Sequence, residues 1–83
     1  MKSCYDISAC IKNALENYFR DLDGEKASGV HRMVTKCAER TMLEVVLKKA
    51  GGNQTLAAEI LGINRNTLRK KIAEYQLLEG SID

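Results

Sequence analysis

The chain has 83 residues, of which 45% are hydrophobic and 29% charged, with no Pro or Trp and a single Phe. This composition is typical of one small globular domain and excludes a disordered chain. No apolar run approaches about 18 residues, which excludes a transmembrane span, and the first residues lack the apolar stretch of a signal peptide. The formal net charge of +2 at pH 7 does not by itself indicate a nucleic-acid partner.

The cysteines and the one histidine form neither a metal-binding nor a catalytic pattern. Cys4, Cys10 and Cys37 are odd in number and widely spaced, which is typical of reduced thiols in a cytoplasmic protein and not of a disulfide framework. No CxxC pair is present, and His31 lies six residues before Cys37, too far to meet it on one helix. We therefore expect buried or half-buried free thiols, with no metal, no cofactor and no catalytic residue.

Apolar spacing predicts two helices before residue 52. The first runs from about Ile7 to Leu22, with Asp6 or Ser8 as its N-cap. A polar loop over residues 21–29, which contains two glycines, separates it from a second helix over residues 30–50. The apolar stripe of the first helix consists of Ile7, Ile11, Leu15, Tyr18 and Leu22.

The second predicted helix is apolar around most of its circumference near its C-terminal end. The run Met42–Leu47 contains one charged residue, Glu44, and a helix that is apolar nearly all round is buried nearly all round. An aromatic-poor chain of 83 residues is too short to cover this run easily, so the pattern predicts a second subunit packed there. The alternative is that the helices that follow cover it within one subunit.

Residues 53–75 predict two short helices joined by a tight turn. Asn53 caps the first, over about residues 54–61, and Gly62 ends it where a positive φ is needed. Asn64 caps the second, over about residues 65–75, and Ala58 allows a close approach between the two. This arrangement is a helix-turn-helix. The residues expected to fill the angle between its helices are Ile60, Leu61, Ile63, Leu68 and Ile72.

The second of these helices carries a segregated basic surface. Four cations and no anion occur in the eight residues from Asn64 to Lys71. Arg65 lies in the first turn, where a recognition helix reaches base edges and where Arg can bind guanine O6 and N7. Polar residues at the helix starts can meet phosphates; these are Asn53, Thr55, Asn64 and Thr67. The alternative is an ordinary solvated basic face.

The string GNQTLAAEILGINRNTLRKKI, residues 52–72, closely resembles the C-terminal helix-turn-helix of the Fis (factor for inversion stimulation) family. Residues 11–19, with Leu22-Asp23-Gly24 after them, look like the first core helix and loop of the same family. The resemblance covers about Ile7 to Tyr75, nearly the whole chain, and the motif is far more specific than a generic helix-turn-helix.

The resemblance implies an all-α homodimer of four-helix chains that binds and bends double-stranded DNA. The first two helices of both subunits would interlock as the dimer core, within residues 1–52, and residues 53–83 would form the DNA-binding region of the same folded domain. The protein would act in the cytoplasm as a nucleoid-associated transcriptional regulator, with no membrane partner. Arg65 would be the main base reader, and the DNA backbone would be held by Asn53, Thr55, Asn64, Thr67, Arg69, Lys70 and Lys71.

Three departures from the family pattern modify these expectations. Only about six residues precede the predicted first helix, so the N-terminal arm that contacts a recombinase is expected to be missing and inversion stimulation is not expected. Thr41 stands where members often have Pro, so no kink is predicted in the second helix. Ala73 and Glu74 interrupt the basic stripe, which predicts fewer phosphate contacts and a shallower salt dependence. The tail over residues 76–83 carries no interpretable signal.

Two other classes of function are compatible with parts of the sequence. The DNA-binding output domain of a nitrogen-regulator-type enhancer-binding activator carries a similar helix-turn-helix, but normally follows an ATPase domain. A helical protein-interaction module without DNA binding would explain the apolar helices but not the basic segment from Arg65 to Lys71. An enzyme is not expected, because the chain has no Gly-rich phosphate loop, no HExxH motif and no paired-acid pocket.

Overall fold

The computed structural model describes the backbone of residues 2–77 and the side chains of residues 5–77. Four helices follow in chain order: α1 (Lys2–Leu22), α2 (Val30–Lys49), α3 (Gln54–Leu61) and α4 (Arg65–Glu74). Residues 2–77 contain no strand, which confirms the predicted all-α class. The chain divides into two compact units, Met1–Val30 and His31–Asp83, so α2 from His31 onward, α3 and α4 belong to the C-terminal unit.

Helix α1 begins five residues earlier than the sequence predicts, at Lys2 instead of Ile7. The proposal that Asp6 or Ser8 caps it is therefore wrong, because both residues lie inside the helix and are exposed. No Gly or Pro precedes them, and Asp and Ser in an exposed helix interior cost only a few tenths of a kcal/mol each relative to Ala. Nothing in this stretch is strong enough to stop the helix.

The apolar stripe of α1 remains accessible to solvent. None of its side chains is buried, and Ile7 is 60% exposed. Cys10 on α1 and Cys37 on α2 are free and exposed, so the expectation of buried or half-buried thiols is wrong for both. Cys4 lies outside the side chains that the structure describes.

The core of the C-terminal unit is built from small and aliphatic side chains of all three of its helices. Leu43 and Leu68 are the largest fully buried side chains, at 1% and 0% exposed. Helices α3 and α4 thus cover one side of the apolar run of α2 but leave Met42 and Val45 exposed on another. The buried set is Leu43, Leu47, Ala50, Ala57, Ala58, Leu68 and Ile72.

The helix-turn-helix has the predicted boundaries and caps. The Asn53 side chain accepts a hydrogen bond from the Leu56 amide at 3.0 Å, and the Asn64 side chain accepts one from the Asn66 amide at 2.7 Å. Gly62 has φ +77° in the left-handed region, and its amide donates to the Ala58 carbonyl at 2.8 Å. These local bonds set the angle at which α4 leaves α3.

One residue predicted to lie between the two short helices is wrongly assigned. Ile60 is 52% exposed, whereas Ala57 and Ala58 are buried and Leu61 is partly buried against the core. At 100° per residue, Ile60 lies about 110° from the mean direction of these three inward residues. The inward face of α3 is therefore narrower than the apolar content of its sequence suggests.

The C-terminal end of α4 is fixed by a Schellman arrangement. Gln76 adopts φ +57°, and the Leu77 amide donates to the Ile72 carbonyl at 2.9 Å. This bond turns the chain back, so that Leu77 packs against the core of the unit. Tyr75 stands as the C-cap, which keeps its side chain beside α2.

Candidate nucleic-acid interface

Packing of α4 against α2 and α3 determines which of its faces meets solvent. Leu68 and Ile72 point into the core, and Tyr75 flanks them. The helical period then directs Asn66, Arg69 and Lys70, which are all exposed, away from the core. The outward face of α4 is therefore polar and cationic.

Seven of the eight predicted site residues are exposed and one is half-buried. The half-buried residue is Lys71, whose ammonium forms an ion pair with Glu39 of α2 at 2.9 Å. No ion pair to the other predicted cations occurs within residues 5–77, so their charges remain available to a ligand. The exposed seven are Asn53, Thr55, Asn64, Arg65, Thr67, Arg69 and Lys70.

Arg65 is held at the start of α4 by a residue of the preceding helix. Its Nη1 donates a hydrogen bond to Thr55 Oγ1 at 3.2 Å, and the guanidinium has four further N–H donors for another partner. Both caps, Asn53 and Asn64, use their side-chain oxygens on backbone amides, which leaves their NH₂ donors for a phosphate. The starts of α3 and α4 thus present donors together.

Asn66 is not among the predicted site residues, although it is exposed and lies four residues before Lys70 on the same face of α4. The spacing of Asn66 from Lys70 could have identified it, because residues four apart share a face of a helix and the buried face of α4 contains Leu68 and Ile72. Asn66 extends the polar outward face toward the start of the helix.

A polar cluster links α2 to α4 on the flank where Lys71 lies, and we call it the α2–α4 cluster. Glu39 accepts from Lys71 Nζ at 2.9 Å and from the Tyr75 hydroxyl at 2.5 Å. Lys36 Nζ lies 2.8 Å from Glu74 Oε2 and 5.5 Å from the centre of the Tyr75 ring. The cluster consists of Lys36, Glu39, Lys71, Glu74 and Tyr75.

The α2–α4 cluster shifts the pKa of three of its members. Hydrogen bonds from Tyr75 and then from Lys71 lower the pKa of Glu39. The bond to Glu39 raises the pKa of Lys71, and it raises the pKa of Tyr75 to about 12. Each shift favours the protonation state that keeps the cluster intact at neutral pH.

The raised pKa of Tyr75 predicts a late phase in a tyrosine titration. Because the folded pKa of about 12 lies above the ordinary value of about 10, the contribution of this hydroxyl to stability is present below pH 10 and is lost as the pH rises toward 12. Ultraviolet absorbance should show one tyrosine ionising near pH 12 in the native chain. Tyr75→Phe should remove that phase; a native titration without it would contradict the hydrogen bond to Glu39.

Over residues 5–77, no three His, Cys, Asp or Glu side chains come together as metal ligands. Among the four helices described, none combines the length and hydropathy needed to cross a membrane.

The sequence is similar to a family of regulators and to several of its members. The model of the Fis family of bacterial regulatory proteins matches residues 37–75. A protein of Ralstonia nicotianae, named as Fis-like and DNA-binding, is 54% identical over 72 residues, 87% of this chain and 94% of that protein. A protein of Neisseria meningitidis serogroup A with the same name is 49% identical over 88% of this chain and 92% of its own length.

A third relative carries the family name itself. The DNA-binding protein Fis of Actinobacillus succinogenes is 49% identical over 65 residues, which make up 78% of this chain and 66% of that protein. The residues that the family model matches include α2 from Cys37 onward and the whole helix-turn-helix whose geometry is described above. The chain belongs to the Fis family of bacterial regulatory proteins.

Proposed function

We propose that this chain forms a homodimer that binds and bends double-stranded DNA, and that it acts in the cytoplasm as a nucleoid-associated protein and transcriptional regulator. One observation carries the proposal. A helix-turn-helix of the Fis family exposes seven polar and cationic side chains at the starts of α3 and α4 and along the outward face of α4. Relatives of similar length are named as DNA-binding proteins.

In the proposed complex, α4 lies in the major groove and Arg65 reads base edges. A guanidinium can donate two parallel hydrogen bonds to guanine O6 and N7, and its place in the first turn of α4 suits that contact. The remaining exposed side chains hold the phosphate backbone and fix the register of the helix. They are Asn53, Thr55, Asn64, Thr67, Arg69 and Lys70.

The proposed dimer is formed by α1 and α2, within residues 1–52. Two surfaces support it: α1 has an apolar stripe without a buried side chain, and α2 exposes Met42 and Val45 at 47% and 61%. Exposed apolar side chains that recur along one face of a helix are typical of a protein–protein interface. A two-fold symmetric dimer presents two copies of α4, which suits a site made of two related half-sites.

A gel-shift series on circularly permuted DNA fragments tests binding, stoichiometry and bending together. We expect one retarded complex with two chains per duplex, whose mobility is lowest when the binding site lies at the centre of the fragment. Mobility independent of site position would contradict bending, and the absence of any retarded complex would contradict DNA binding. Sedimentation at micromolar concentration should give a dimer; a fully folded monomer would contradict the dimer.

Replacing Lys70 with Ala should weaken binding to all DNA sequences alike. Lys70 is exposed on the outward face of α4, and a lysine that neutralises one phosphate contributes about one unit to the slope of log K against log salt. Titrations at several salt concentrations should show this slope reduced by about one unit for each subunit bound. Arg40→Ala on α2 removes a cation that pairs with Glu44 and should leave the slope unchanged. A loss limited to one DNA sequence would contradict a phosphate contact of Lys70.

A further inference from the structure

Glu39 is bound from two sides by the helix that carries the proposed reading surface. It lies on α2 and accepts hydrogen bonds from both Lys71 and Tyr75, which are four residues apart and share one flank of α4. Lys36 and Glu74 add a second link between the same two helices at 2.8 Å. Side-chain contacts from residues far away in sequence thus tie one flank of α4 to α2.

This flank of α4 is separate from the one that presents the arginines. At 100° per residue, Lys71 and Arg69 lie about 160° apart around the helix axis. Arg65, toward the other side, contacts Thr55 of α3. The two sides of α4 are therefore held by different helices, the Lys71 side by α2 and the Arg65 side by α3.

The negative charge of Glu39 opposes DNA binding. Glu39 places an anion beside a DNA-facing helix, and its bond to Lys71 neutralises a cation that would otherwise attract phosphate. If electrostatics alone mattered, removing Glu39 would strengthen DNA binding. Glu39 therefore weakens DNA binding unless its two hydrogen bonds favour binding in a way that does not depend on its charge.

We propose that Glu39 is a positioning residue for DNA recognition. It fixes the orientation of α4 on α2 through Lys71 and Tyr75. Lys71 therefore acts on DNA binding through Glu39 and not through a contact with phosphate. This inference rests on the proposed function, in which α2 belongs to the dimer core and α4 enters the major groove. The orientation of α4 on α2 then sets the separation of the two reading helices, and with it the spacing of half-sites that the dimer accepts.

The sign of one substitution distinguishes positioning from electrostatics. We expect Glu39→Ala to weaken binding to the preferred site about fivefold, although it removes a negative charge. Glu59→Ala is the control, because Glu59 is an exposed carboxylate outside α1 and α2 that forms no ion pair within residues 5–77; it should bind as tightly as the native chain or slightly more tightly. Tighter binding by Glu39→Ala would overturn the proposal.

Lys71→Met provides the complementary test. If Lys71 acts through Glu39, its replacement weakens binding but leaves the salt slope unchanged, and the double variant with Glu39→Ala is no weaker than Glu39→Ala alone. A slope reduced by about one unit per subunit, as expected for Lys70→Ala, would instead assign Lys71 to a phosphate and overturn the proposal. Glu39→Gln, which keeps an oxygen that can accept from Tyr75, should bind with intermediate affinity.

Half-site spacing provides a readout that a loss of stability alone would not change. Duplexes with one base pair inserted or removed between the half-sites should bind the native dimer less well than the preferred duplex. Glu39→Ala should reduce this difference, with all titrations made where circular dichroism shows every variant to be folded. A spacing preference equal to that of the native chain would overturn the proposal. If the native chain binds no duplex, the proposed function itself is contradicted. This result differs from a native spacing preference in Glu39→Ala, which contradicts only the positioning role of Glu39.

Discussion

Replacing Leu68 with Ala should lower the free energy of unfolding by about 3 kcal/mol. Leu68 is 0% exposed and lies at the junction of α4 with the core of the C-terminal unit. Truncation removes buried apolar surface and leaves a cavity, because the neighbouring Ala57 and Ala58 are too small to fill it. Chemical denaturation, at equal protein concentrations because an oligomer gains stability by mass action, measures the loss.

Leu56→Ala is the matched control for this change. Leu56 belongs to the same helix-turn-helix but is 41% exposed, so the same truncation should cost less than about 1 kcal/mol. The sequence predicts Leu68 and not Leu56 to lie between the two short helices, and the packing of α3 and α4 agrees with that distinction. Equal losses for the two variants would contradict the assignment of Leu68 to the core.

Replacing Arg65 with Ala should cost about 1–3 kcal/mol of binding free energy on the preferred DNA site and leave the fold intact. Arg65 is exposed, and Thr55 Oγ1 is the one side-chain hydrogen-bond partner of its guanidinium among residues 5–77. Its removal therefore leaves the core unchanged. Competition between the preferred site and random DNA, monitored by fluorescence anisotropy, gives the loss of discrimination directly.

Arg65→Lys separates base reading from charge. Lysine keeps the positive charge but lacks the planar fork that donates two hydrogen bonds at once. We therefore expect this variant to bind random DNA about as well as the native chain while losing most of the preference for the specific site. If both Arg65 variants retain the native preference, Arg65 does not read the bases.

The helix-turn-helix could be predicted in detail because its signals are local. Asn53, Gly62 and Asn64 each act on backbone groups within five residues of themselves, so the sequence alone locates the helix ends. The start of α1 could not be predicted in the same way, because residues 2–6 contain neither a breaker nor a sufficiently strong cap.

The orientation of side chains around each helix was less predictable than the helices themselves. Ile60 is apolar but exposed, since the close approach of α3 and α4 is occupied by Ala57 and Ala58. Lys71 looks like one more cation of the basic segment, yet its ammonium is bound by Glu39. No sequence pattern links residues that are more than thirty positions apart, and the distinction between Lys70 and Lys71 required the packing of α4 on α2.

The central claim is that α4 places Arg65 against base edges in the major groove. Methylation interference measures this most directly, since a methyl group on guanine N7 blocks the atom that Arg would contact. We predict that methylation of one guanine in each half-site weakens binding of the native protein, and that Arg65→Ala no longer distinguishes methylated from unmethylated DNA at that position. An identical interference pattern for the native protein and Arg65→Ala, or no interference at any guanine, would contradict the claim.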